Sequence, residues 1–157
     1  MKKISFAILS LVVLSISACK KSSSSTSPTN SNFSFKNVNY NEVGTGTAWG
    51  GTTWNTSMNK LIGVVQNADG SQSANAYLYF TSRPTVSRTY KIGGITDSTV
   101  SIIFTSLTES TNYFVAGTGE TVQVTINNGK ITATTSKATL STGGSDMNVL
   151  TGTWIEN

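Results

Sequence analysis

Three short turns constrain this chain more than anything else in it: Asp69-Gly70, Asn128-Gly129 and Gly143-Gly144, each between segments of alternating apolar residues. A two-residue hairpin loop of this kind needs positive φ at its central positions, which Asn-Gly and Gly-Gly tolerate. Such a loop also sets the register of the strands it joins. The Asn128-Gly129 turn pairs Ile126 with Ile131, Val124 with Ala133 and Val122 with Thr135. Asp69-Gly70 pairs Leu61 with Leu78 and Gly63 with Ala76, and Gly143-Gly144 pairs Leu140 with Met147 and Ala138 with Val149. Each register places an apolar stripe on one face, so turn chemistry and patterning agree.

The same period of two runs from Phe33 to the C-terminus, and no stretch keeps a helical period for three turns. Predicted strands are 33–40, 44–50, 52–57, 60–67, 74–82, 99–106, 111–116, 121–127, 130–135, 137–142 and 147–155. A short edge strand is expected at 86–92 after Pro84, since proline cannot donate within a central ladder. Ser and Thr make up 48 of 157 residues, a composition suited to sheets with one wet face. The expected fold is all-β, an antiparallel β-sandwich, with a small closed β-barrel as the alternative. The expected core is Leu61, Val65, Leu78, Phe80, Ile102, Phe104, Val122, Val124, Ile126, Ile131, Leu140 and Val149.

The N-terminus carries a different signal. Lys2 and Lys3 precede an apolar stretch, Ile4 to Ile16, and small residues lead into the sole cysteine at Ile16-Ser17-Ala18-Cys19. That stretch is shorter than the roughly 20 residues needed to span a bilayer, and the order is that of an export signal. The motif resembles the lipobox of bacterial lipoproteins. The resemblance implies cleavage before Cys19 and acylation of that residue, which would anchor the chain to a membrane. The layout as a whole resembles the small β-rich envelope lipoproteins of Bacteroidetes-type bacteria. Lys20, where inner-membrane retention would place Asp, favours the outer membrane by the same resemblance, with the domain on its periplasmic face. The expected organisation is a signal peptide over 1–18, a lipidated cysteine and flexible Ser-rich tether over 19–32, and a single β domain over 33–157.

Charge narrows the function classes. The formal +4 comes from the leader and tether; from Ser31 onward seven basic residues balance seven acidic ones. No basic footprint for nucleic acid is present. Histidine is absent, which removes the usual general base and the commonest metal ligand, so neither a cofactor nor a metal site is expected. The Ser neighbourhoods hold no nucleophile elbow.

Two sets of side chains remain. Glu42, Glu109, Glu120 and Asp146 are the acids from which a polysaccharide hydrolase would need a pair. Trp49, Trp54, Tyr77, Tyr79 and Trp154 are the candidate binding aromatics, because exposed Trp and Tyr give rigid contact area at low entropy cost. Tyr77 and Tyr79 share one face of a strand, opposite Leu78 and Phe80. The reading is a non-enzymatic, lipid-anchored module binding an envelope protein or glycan. The alternatives are the carboxylate hydrolase and a carrier with an apolar ligand inside a barrel.

Overall fold

The computed structural model describes residues 30–44 and 51–157. Eleven strands form one hydrogen-bonded sheet: β1 (Asn32–Phe35), β2 (Val38–Glu42), β3 (Gly51–Asn55), β4 (Lys60–Asn67), β5 (Ser73–Tyr79), β6 (Arg88–Ile92), β7 (Thr99–Ser106), β8 (Thr111–Val115), β9 (Thr121–Asn127), β10 (Lys130–Ser141) and β11 (Asn148–Ile155). The fold is all-β. The order is β11-β1-β2-β4-β5-β7-β6-β9-β10-β8, with further pairings of β10 to β11 and β7 to β8. The sheet therefore returns on itself, and its inward face encloses one core. It is mixed rather than purely antiparallel, because β6 runs parallel to β7. β6 also pairs with β9, so the expected edge strand is an interior one.

Two of the three turn registers hold. Ile126 opposes Ile131 and Val124 opposes Ala133 across Asn128 and Gly129, both at positive φ. That ladder closes at Gln123–Thr134, one step short of the expected Val122–Thr135 pair. Leu61 opposes Leu78 and Gly63 opposes Ala76. There the loop is longer than two residues: only Gly70 has positive φ, and Asn67 N–H donates to Gln72 O.

The third register slips by one residue. Thr139 opposes Val149 and Ala138 opposes Leu150. A one-residue slip inverts every side chain, so Leu150 is buried, whereas Met147 and Val149 are 59% and 47% exposed. Val149 is thus not a core residue, and Ile126 is only partly buried against the core. The loop over 142–147 is tied by Thr142 Oγ1 to Asp146 Oδ1 at 3.0 Å rather than closed at Gly143-Gly144 alone.

Other boundaries differ for local reasons. Residues 33–40 form two strands, because Lys36 and Asn37 both take positive φ and close a tight hairpin with Phe35 opposite Val38. Residues 130–141 form one strand with an irregularity between Thr135 and Ala138. β2 and β3 lie along the same neighbour, with Glu42 opposite Val65 and Gly51 opposite Val64. They are successive parts of one line along β4, separated by residues 43–50. Apart from Gly44, the expected strand over 44–50 lies outside the described residues.

The fold also begins earlier than the tether boundary at residue 32 implies. Ser31 is fully buried; its hydroxyl lies 2.6 Å from Thr52 Oγ1 and accepts from Ile155 N–H at 2.7 Å. At the centre of the core, Phe33 packs edge-on against Trp154, with ring centroids 4.8 Å apart. Glycine makes room for it: a Cβ on Gly152 would lie 2.3 Å from the Phe33 ring, and one on Gly63 would lie 3.3 Å away. Phe35, Tyr40, Phe104 and Tyr113 continue the aromatic packing.

Candidate functional site

The sheet has an outward face over β3, β4, β5, β7 and β8, and its cross-strand pairs define rows. One row runs Thr53–Ile62–Tyr77–Ile103–Phe114, since each residue opposes the next across its ladder. Cross-strand neighbours on one face lie about 5 Å apart, close enough for the side chains to pack. The row is apolar beyond Thr53, on a sheet whose outward positions are otherwise rich in Ser, Thr and Asn. Phe114 at its end is 47% exposed. A parallel row runs Asn55–Lys60–Tyr79–Ser101.

A hollow of about 550 Å³ opens on this face, lined by Thr53, Asn55, Lys60, Ile62, Asn75 and Tyr77 among others. Tyr77 and Tyr79 lie 6.2 Å apart, centroid to centroid. Between strand and rings sits Lys60, only 7% exposed, its ammonium 4.3 Å from the centre of the Tyr77 ring and 4.9 Å from that of Tyr79. Lys60 Nζ donates to Tyr79 Oη at 3.1 Å.

The candidate aromatics therefore divide. Tyr77 and Tyr79 share the outward face, half-buried. Trp54 opposes Leu61 and so belongs to the core-facing side, where it packs on Phe80 and lies beneath the Arg83 guanidinium. Trp154 is fully buried, and its Nε1–H donates across the core to Ala76 O at 2.9 Å. Trp49 and Cys19 lie outside the described residues. Trp154 is thus a core residue and no part of a binding strip, and Trp54 does not join the tyrosines.

The carboxylates hold the fold. Glu42 accepts from Ser31 N–H at 2.7 Å and Thr52 N–H at 3.1 Å, and also from Asn157 Nδ2. Glu109 accepts from Tyr113 Oη at 2.7 Å and pairs with Lys36 at 3.3 Å. The Tyr113 hydrogen bond, with the Lys36 charge, holds the Glu109 carboxyl below the ordinary glutamate range. Burial pushes Glu120 up, but bonds from Thr139 N–H at 2.6 Å and Thr139 Oγ1 at 2.7 Å, with Lys137 beside it, outweigh burial and leave it below that range. Asp146 accepts from Thr142. Each of the four has partners of its own, and none lines the hollow. Among the described residues no group of three or more His, Cys, Asp or Glu is arranged to hold a metal ion.

Trp154, Phe35, Phe104, Leu61 and Leu78 fill the interior, each less than 2% exposed, which disfavours an internal ligand. No helix among the described residues is long and apolar enough to cross a membrane. Comparison with known protein families, with curated proteins and with solved structures returns no match.

Sequence reasoning missed Lys60, Ile62, Ile103 and Phe114. The Tyr77/Tyr79 alternation signalled the face, but the rest of the row depends on which strands pair with β5, and no local pattern encodes that.

Proposed function

We propose that this chain is a lipid-anchored, non-enzymatic binding module of the bacterial cell envelope, held at the outer membrane through acylated Cys19. Its ligand, an envelope protein or glycan, is engaged by the outward face of β3, β4 and β5. The observation that carries this reading is the row Ile62–Tyr77–Ile103–Phe114 beside the hollow. An apolar stripe left on the outside of a Thr-rich sheet marks an interaction surface. The lipobox-like Ile16-Ser17-Ala18-Cys19 supports the anchor.

Two measurements test the proposal. The intact mass of the envelope-purified protein should match a chain beginning at Cys19 with acyl groups, and Cys19→Ser should release the protein from membranes. Envelope polysaccharide and protein fractions retained by the full chain should be lost on Tyr77→Ala or Ile103→Glu. Retention unchanged by both substitutions would defeat the assignment of the face.

A further inference from the structure

Lys60 sharpens the proposed binding face into a chemical class of ligand. An ammonium has three donors and no acceptor, and Tyr79 Oη takes one of them. The ion pairs among the described residues are Lys36–Glu109, Arg83–Glu156 and Lys137–Glu120, so Lys60 has no carboxylate partner there. Withdrawing an ammonium from water costs several kcal/mol unless an opposite charge compensates, and the faces of two tyrosine rings compensate only in part. Lys60, 7% exposed as a residue, thus lines an open hollow with two N–H donors that no described residue accepts.

The rest of the wall narrows the anion. Asn55 and Asn75 contribute amides and Thr53 a hydroxyl, while Met58, Val64 and Leu107 join Ile62 and Tyr77 in a wall that is mostly apolar. The mixture suits a sugar, whose hydroxyls meet the amides and whose C–H face meets the apolar side chains. A hollow of about 550 Å³ is of the size that encloses a compact ligand, whereas a stable protein partner covers about 800 Å² per side. A neutral sugar or an apolar molecule would desolvate Lys60 further and return no charge. We infer that the hollow binds a carboxylate-bearing sugar of an acidic polysaccharide, with the carboxylate on Lys60 Nζ and the sugar ring against Tyr77. This rests on the proposed binding face and adds the charge of the ligand to it.

The experiment uses the full chain in detergent, titrated calorimetrically with tetrasaccharides of galacturonate, glucuronate and sialic acid, with their methyl esters, and with a tetraglutamate peptide. The acid form of at least one sugar should bind about tenfold or more tighter than its ester, as expected for a charge-assisted contact. Lys60→Arg should keep that preference and Lys60→Met should erase it. The acid–ester comparison needs no variant, so a folding defect in either substitution leaves it valid. Equal binding of acid and ester, or binding of the peptide alone, would overturn the acidic-sugar inference. If no acidic sugar binds while envelope fractions are still retained through Tyr77, the inference fails and the binding face stands; loss of both removes both.

Discussion

Trp154 offers the sharpest test of the fold, because its environment separates a core residue from a binding one. It is fully buried, lies edge-on to Phe33 at 4.8 Å, and its indole N–H reaches Ala76 O at 2.9 Å. Truncating a buried Trp to Ala costs about 3–5 kcal/mol, and losing the hydrogen bond adds about 1 kcal/mol. Trp154→Ala should therefore cost about 4–6 kcal/mol, comparable to the whole stability of an ordinary domain. Trp154→Phe keeps the ring contact with Phe33 and loses the hydrogen bond and part of the packing, for roughly 2 kcal/mol. At about 4 °C per kcal/mol for a domain of this size, the melting temperature should fall by about 8 °C for Phe. For Ala the fall should be about 15–25 °C, or the protein should not fold at all. Urea unfolding followed by circular dichroism at a β-sheet wavelength measures this without relying on the deleted fluorophore. A Trp154→Ala variant within about 1 kcal/mol of the parent would refute the burial argument and return Trp154 to the surface.

Three further outcomes follow from the same packing. Leu150→Ala should cost about 2–5 kcal/mol, whereas Val149→Ala, at a half-exposed position, should stay within about 0.5 kcal/mol; a reversal in urea titrations would restore the unslipped β10–β11 register. Gly152→Ala forces a Cβ to 2.3 Å from the Phe33 ring and 2.6 Å from Asn32 O, so a loss of about 2 kcal/mol or more is expected by thermal melting. The Glu109 and Glu120 carboxyls lie below their ordinary value of 4.5 in the fold. Their contribution is therefore complete above that pH and is lost as the pH falls through the lower folded values. Stability measured from pH 6 to pH 2 should decline below about 4.5, and Glu120→Gln should flatten that decline.

Much of the fold was legible because strand registers are local where turn chemistry is unambiguous. Asn128-Gly129 needs positive φ at both positions and obtains it. The Asp69-Gly70 register survived although the loop is longer, because the alternation on both sides demands the same pairing. Gly143-Gly144 misled because glycine permits several loop closures, and apolar residues at 147, 149 and 150 support either face. The Lys36-Asn37 hairpin was hidden because lysine rarely takes positive φ. The site was legible only at Tyr77 and Tyr79. The burial of Trp154 and the wall position of Lys60 arise from strands distant in sequence, and neither residue carries a local sign of its surroundings.

The proposed binding face for ligand is the outward side of β3, β4 and β5. Amide hydrogen exchange of the full chain with and without a saturating acidic oligosaccharide tests it most directly. Protection confined to residues 53–64 and 75–79 is the expected result. Protection elsewhere, or none at a concentration where calorimetry shows binding, would contradict it.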